Sequence, residues 1–210
     1  MTSPPSSPNP APRARPLTER LGLAPDDLPA GGLWYPEEDV LLCLLDQIEA
    51  RRPRRVVSLG GGIAVVVMAR VLGWDSELVM VEADPQMLAF TQDLLAELGA
   101  DCKVRFLEAE LQEYDKHNMW YWRGVLDELP AQIDLLFIDG PGHFAGRMPR
   151  WPAGPELFSR LQPGGIAILD DGKRVKEKKA LKRWAEDFPD LKQEKTKTSG
   201  GAVILRAREG

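Results

Sequence analysis

Five short runs rich in aliphatic and β-branched residues alternate with stretches that carry apolar residues at helical spacing. The strand-sized runs are Arg55–Leu59 and residues 78–82, 103–107, 133–138 and 166–169. Helix-sized stretches follow four of them, at residues 63–72, 85–98, 154–161 and 175–188. Another helix starts at Pro36-Glu37-Glu38-Asp39, with proline early and acids in the first turn. Val40, Leu41, Leu44, Leu45 and Ile48 continue it at helical spacing. Strands this apolar are buried on both faces, so the expected fold class is α/β, a doubly wound and mostly parallel sheet. Right-handed crossovers put every strand's C-terminal end on one edge, and ligands bind there at the point where strand order reverses. Function is therefore sought in the residues just after each strand.

The rest of the chain narrows the class. Residues 1–16 are Pro/Ser-rich with almost no large apolar groups, which predicts a disordered tail rather than a secretory signal. Residues 17–35 read as a lead-in, and residues 36–210 as one domain. No run approaches the ~20 apolar residues of a membrane span. A net charge of -5 argues against nucleic acid as the main partner. With 2 cysteines and 2 histidines there is no disulfide framework and no multi-His or Cys-based metal cluster. A cytoplasmic location is expected. Residues 110–130 read as irregular or partly helical, and residues 191–198 and 202–206 as a closing hairpin around Ser199-Gly200-Gly201.

After the first strand, Gly60, Gly61 and Gly62 open a helix, where bare backbone lets a ligand approach and the helix start favours polar or negative groups. A dinucleotide fingerprint fails because its third small position falls on Val65, and no Gly-Lys-Ser/Thr ending makes a phosphate loop. Glu82 ends the second strand, where a carboxylate accepts from a ribose diol. Glu108 and Ala109 follow the third and suit an adenine edge or a solvated turn. Asp139 follows the fourth, with His143 beyond it as a base that titrates near neutral pH. Asp170 and Asp171 follow the fifth. With Asp139 they form an oxygen donor set for a hard cation, or else Asp171-Gly172 is a turn capped by Asp170.

This pattern resembles the class I S-adenosylmethionine-dependent methyltransferases. Arg55-Val-Val-Ser-Leu-Gly-Gly-Gly62 is similar to the family's first motif, and Leu78-Val-Met-Val-Glu82-Ala-Asp84 to its second. Ile133-Asp-Leu-Leu-Phe-Ile-Asp139-Gly-Pro resembles the fourth, and Leu161-Gln-Pro-Gly-Gly-Ile-Ala-Ile-Leu-Asp170-Asp171 the signature of the fifth strand. The resemblance implies seven strands with the last antiparallel. It implies S-adenosylmethionine held by Ser58, Gly60, Gly61, Gly62, Glu82, Ala83, Glu108 and Ala109. It also implies Mg²⁺ as a candidate at Asp139, Asp170 and Asp171. Ser58 departs from the family, which usually has an acid there.

The expected reaction is methyl transfer to a hydroxyl of a small molecule or glycan, with Asp139 and His143 activating the acceptor. An aminopropyl transferase on the same fold and a non-catalytic cofactor-binding protein are the alternatives. Trp120, Tyr121 and Trp122 are read as lining for the pocket, or as a core or homodimer contact. Arg147 and Arg150 suit an acidic group on the substrate, or a solvated loop. The basic run Lys173, Arg174, Lys176, Lys178, Lys179, Lys182 and Arg183 reads first as a solvated helix face.

Overall fold

The computed structural model describes residues 16–24, 26–29 and 36–208. The expected tail, apart from Pro16, and the 31–35 end of the lead-in lie outside these residues. Side chains on the strands alternate between two cores. On β1 (Arg55–Leu59) Val56 enters one core, while Val57 and Leu59 enter the other. On β2 (Glu77–Glu82) Leu78 and Met80 face the first, Val79 and Val81 the second. Each such fully buried aliphatic side chain stabilises the fold by roughly 1.5–3 kcal/mol.

Helices α2 (Glu38–Arg51), α3 (Ile63–Val71) and α4 (Pro85–Leu98) cover the first face. The short α1 (Leu17–Leu21) adds Leu17 and Leu21 to the same core, so part of the expected lead-in belongs to the packed structure. Asp84 caps α4 by accepting from Gln86 N at 2.9 Å, with Pro85 in the first turn. Helices α5 (Ala153–Leu157) and α6 (Val175–Asp187) cover the second face.

The other strands are β3 (Lys103–Glu108), β4 (Leu111–Asp115), β5 (Asn118–Tyr121), β6 (Ile133–Ile138), β7 (Leu161–Leu169), β8 (Lys192–Lys195) and β9 (Val203–Arg206). The main sheet has 7 strands in the order β3-β2-β1-β6-β7-β9-β8. The pairs from β3 to β7 are parallel, and β9 runs antiparallel to both β7 and β8. This is the expected doubly wound sheet with an antiparallel last strand. The chain leaves β1 toward β2 and β3, then returns to the other side of β1 as β6. The reversal of strand order lies between β1 and β6.

Two expected elements differ. Residues 110–130 are not irregular: β4 and β5 form a separate antiparallel hairpin, followed by a 3₁₀ segment at Arg123–Glu128. Gln112, Glu113 and Asp115 are polar, so the hairpin lacks the aliphatic run that marks the buried strands. The helix expected at residues 154–161 is α5 plus a 3₁₀ turn at Phe158–Arg160, and β7 already starts at Leu161. Leu161 pairs with Ile133 and the ladder resumes at Ile166–Leu135, so Pro163-Gly164-Gly165 forms a bulge inside the strand. Pro163 has no N–H to give a ladder, which is why the irregularity falls there. Among the described residues, no helix is long and apolar enough to cross a membrane.

Candidate active site

Ladder bonds run one residue past the strand ends and fix the backbone of the sheet edge. Gly60 N donates to Val81 O at 2.9 Å, Asp139 N to Leu59 O at 2.9 Å and Asp170 N to Ile138 O at 3.1 Å. Over this edge opens a cleft of about 1090 Å³, lined by Gly60, Gly61, Glu82, Asp139, Asp170 and Asp171. Gly60 adopts φ +104°, and a Cβ there would meet the backbone of Gly140 at 3.2 Å. Bare backbone therefore lines the cleft between β1 and β6 because the two chains approach too closely for side chains.

The carboxylate of Glu82 stands at one end. Its Oε2 accepts from Gly61 N at 2.8 Å, and its Oε1 from Ala83 N at 2.7 Å and Asp84 N at 2.9 Å. Three backbone donors hold the side chain still, so ordering it costs a ligand little. Gly62 N donates instead to Thr91 Oγ1 at 2.7 Å, which ties the glycine turn to α4.

The other end is a buried charge cluster. Arg150, 4% exposed, reaches back from the loop after β6. Its Nη2 lies 2.8 Å from Asp139 Oδ1 and 3.2 Å from Asp171 Oδ2, and its Nη1 donates to the Asp170 carbonyl at 2.9 Å. Glu177 Oε1 lies 3.9 Å from Arg150 Nε, and Arg174 pairs with Asp171 at 2.6 Å. Burial pushes the Asp139 carboxyl up to about 7; Arg150 opposes the rise, and Asp170 and Asp171 add to it. Asp170 is pushed up to about 6, by burial first and by Asp171 next.

No protein-family model and no curated protein matches the sequence. Solved structures do match. The O-methyltransferase TomG from Streptomyces achromogenes, solved in complex with SAM, is 18% identical over 92% of this chain and 86% of that one, with a TM-score of 0.61. The O-methyltransferase from Bacillus cereus, in complex with SAH, is 16% identical over 91% and 89%, at a TM-score of 0.62. The SAH-bound methyltransferase PaMTH1 from Podospora anserina is 14% identical over 92% and 88%, at 0.61. The fold is that of the class I methyltransferases.

On this methyltransferase fold the residues expected from sequence fall into two groups. Gly60, Gly61, Glu82, Ala83, Asp139, His143, Asp170 and Asp171 line the cleft. Ser58, Gly62, Glu108 and Ala109 do not; after β3 the wall is made by Glu110 and Leu111. Glu108 is exposed, and Ala109 N is taken by the Glu82 carbonyl at 2.8 Å. Ser58 is fully buried and donates to the Gly60 carbonyl at 2.9 Å. A carboxylate in its place would face that carbonyl with no proton to donate, so serine suits this turn. His143 is exposed, its ring packs edge-on against Phe144, and Asp139 bonds to Arg150 rather than to it.

A hard cation would take oxygens from Asp139, Asp170 and Asp171, and such atoms do lie within 4.8 Å of one another. The donor set suits Mg²⁺ in type. However, Arg150 already binds two of these acids and Arg174 binds Asp171. A cation would have to displace Arg150 Nη2 from Asp139 Oδ1 and Asp171 Oδ2, the oxygens it would itself need. The residues present therefore do not fit a resident Mg²⁺, and no chemistry is routed through one.

Arg150, expected toward a substrate acid or in a solvated loop, turns inward onto the protein's own acids. The signal available was the three aspartates at adjacent strand ends, which demanded a counter-charge. Lys176, expected on a solvated face, instead donates from Nζ to the carbonyls of His143 and Gly146, both at 2.6 Å, and so pins the loop after β6.

Proposed function

We propose that this chain binds S-adenosylmethionine in the cleft and transfers its methyl group to a hydroxyl of a small molecule or glycan. One observation carries the reading: the fixed carboxylate of Glu82 and the Arg150-held carboxylate of Asp139 flank the bare glycine backbone of one cleft. The chain's residues suit the cofactor. Glu82 has three of its roughly four lone-pair sites engaged, which leaves one on Oε2 for a ribose hydroxyl. A Cβ on Gly61 would meet Met87 Cγ and Thr91 Oγ1 at 3.0 Å, so that stretch of backbone stays bare.

When bound, S-adenosylmethionine supplies a methyl on a cationic sulfur. Asp139 accepts the hydroxyl proton as the acceptor oxygen bonds to the methyl carbon, and the electrons of the broken C–S bond stay on sulfur. A group titrating near 7 suits proton transfer at neutral pH. Arg150 holds the Asp139 carboxylate in place throughout. Alignment of the two reactants can supply ~7–11 kcal/mol of the barrier reduction. His143, at the cleft mouth, is placed to meet the acceptor rather than to relay through Asp139.

Calorimetry with S-adenosylmethionine and S-adenosylhomocysteine tests the reading. Binding at 1:1, weakened about tenfold or more by Glu82→Ala, supports it; no binding of either supports a non-catalytic protein. A second reading has one specific support: Asp139, Asp170, Asp171 and Glu177 outnumber Arg150 and Arg174 in the cleft wall, which suits a cationic acceptor. Tighter binding of decarboxylated S-adenosylmethionine would favour aminopropyl transfer. Trp122, half-exposed, is the member of the aromatic triplet left for a homodimer contact.

A further inference from the structure

Tyr121 is the last residue of β5 and the point where the hairpin meets the cleft. It is 2% exposed, and its ring packs edge-on against buried Trp120, with centroids 5.0 Å apart. The hydroxyl lies directly over Gly140, where an added Cβ would overlap it. Despite this burial, the Tyr121 hydroxyl has no hydrogen-bond partner. Arg150 Nη1 and Nη2 bond to Asp170 and Asp139 rather than to it. A buried phenol normally finds a partner, because leaving one unpaired costs free energy. An unpaired group on a cleft wall is one whose partner arrives with the ligand.

Its character is also set. Burial, then the charge of Glu82, push the Tyr121 hydroxyl well above its ordinary range, and Asp139 adds to this against Arg150. It keeps its proton at any working pH and acts as a donor. The group it meets must therefore offer a lone pair.

We propose that Tyr121 is a binding residue whose hydroxyl donates a hydrogen bond to an oxygen of the nucleoside cofactor lying between Glu82 and Asp139. This rests on the reading of the cleft as a nucleoside site. The oxygen belongs to the ribose or to the cofactor's carboxylate. Either satisfies a donor held over Gly140 beside Gly60. The hairpin, which stands outside the main sheet, thus contributes a fixed polar contact as well as a wall.

Tyr121→Phe tests this, since it removes one oxygen and keeps the ring. In calorimetry with S-adenosylhomocysteine, the variant should bind about tenfold more weakly than the wild type. In the absence of ligand its melting temperature should be unchanged or higher, because an unpaired buried group has been deleted. Repeating the titration with 5′-methylthioadenosine, which lacks the amino-acid part, assigns the oxygen. A loss seen with both ligands supports the ribose, and a loss seen only with S-adenosylhomocysteine supports the carboxylate. Wild-type and variant affinities within twofold of each other overturn the proposal and leave the cofactor reading standing. A lower melting temperature for the ligand-free variant also overturns it, because the hydroxyl would then be serving the fold. If the wild type binds neither nucleoside, the cofactor reading itself fails, and the proposal with it.

Discussion

Arg150 Nη2 sits 2.8 Å from Asp139 Oδ1, and the arginine side chain is 5% exposed. This pair joins the loop after β6 to the strand end it came from. Its removal should be costly. Arg150→Met would leave the largely buried Asp139 without its counter-charge, while Asp171 keeps Arg174, a loss of roughly 3–5 kcal/mol. Urea unfolding at pH 8 should show it as a lower midpoint, with partial recovery at pH 5.5, where Asp139 can protonate. An unchanged midpoint at pH 8 would mean that the cluster is better solvated than its burial indicates.

Divalent cations should be dispensable. Mn²⁺ titrated into the wild-type chain and followed by electron paramagnetic resonance should show no saturable 1:1 site. A site that appears and is abolished by Asp139→Asn would mean that the guanidinium yields to metal.

Stability should fall as pH rises from about 4 to 7. Asp139 and Asp170 titrate in the folded chain at about 7 and about 6, above the 3.8 of an unperturbed aspartate. Across that window the folded state binds more protons than the unfolded one, so raising the pH favours unfolding. The penalty is absent below about 4 and complete above about 7. For Asp139 it should amount to on the order of 4 kcal/mol, and denaturation of Asp139→Asn should give a flatter profile. Turnover should move the opposite way, with kcat/KM rising through about pH 7 as Asp139 becomes a carboxylate. That limb should vanish in Asp139→Asn.

Gly140→Ala should destabilise the chain by about 1–3 kcal/mol through overpacking. The new methyl would overlap the Tyr121 hydroxyl and come within 3.1 Å of the Gly60 backbone. Thermal melts of Gly140→Ala, alone and combined with Tyr121→Phe, should show partial relief in the double variant.

Much of this arrangement can be read from the chain itself. Glu82, Asp139, Asp170 and Asp171 stand out because each breaks an apolar run at its C-terminal end, and in a parallel sheet those ends share one edge. The partners of these acids are harder to see. Arg150 lies 11 positions after Asp139, on a loop whose path no periodicity marks. The hairpin is hidden for a related reason. Gln112, Glu113 and Asp115 look like loop residues, and their strand character comes only from pairing with Asn118–Tyr121. Ser58 is legible as a departure from the family pattern, but its bond to the Gly60 carbonyl depends on a turn seen only in three dimensions.

The hairpin turn is sewn to the loop that carries Arg150. Asn118 bridges Gly146, Met148 N donates to Asn118 Oδ1 at 2.7 Å, and Arg147 N donates to the His117 carbonyl at 3.1 Å. Exchanging the 116–118 turn would therefore shift the hairpin wall of the cleft and the guanidinium of Arg150 as one unit. The shape of the cleft and the stability of the Asp139–Arg150 pair are mechanically linked, and variation that retunes one will drag the other along.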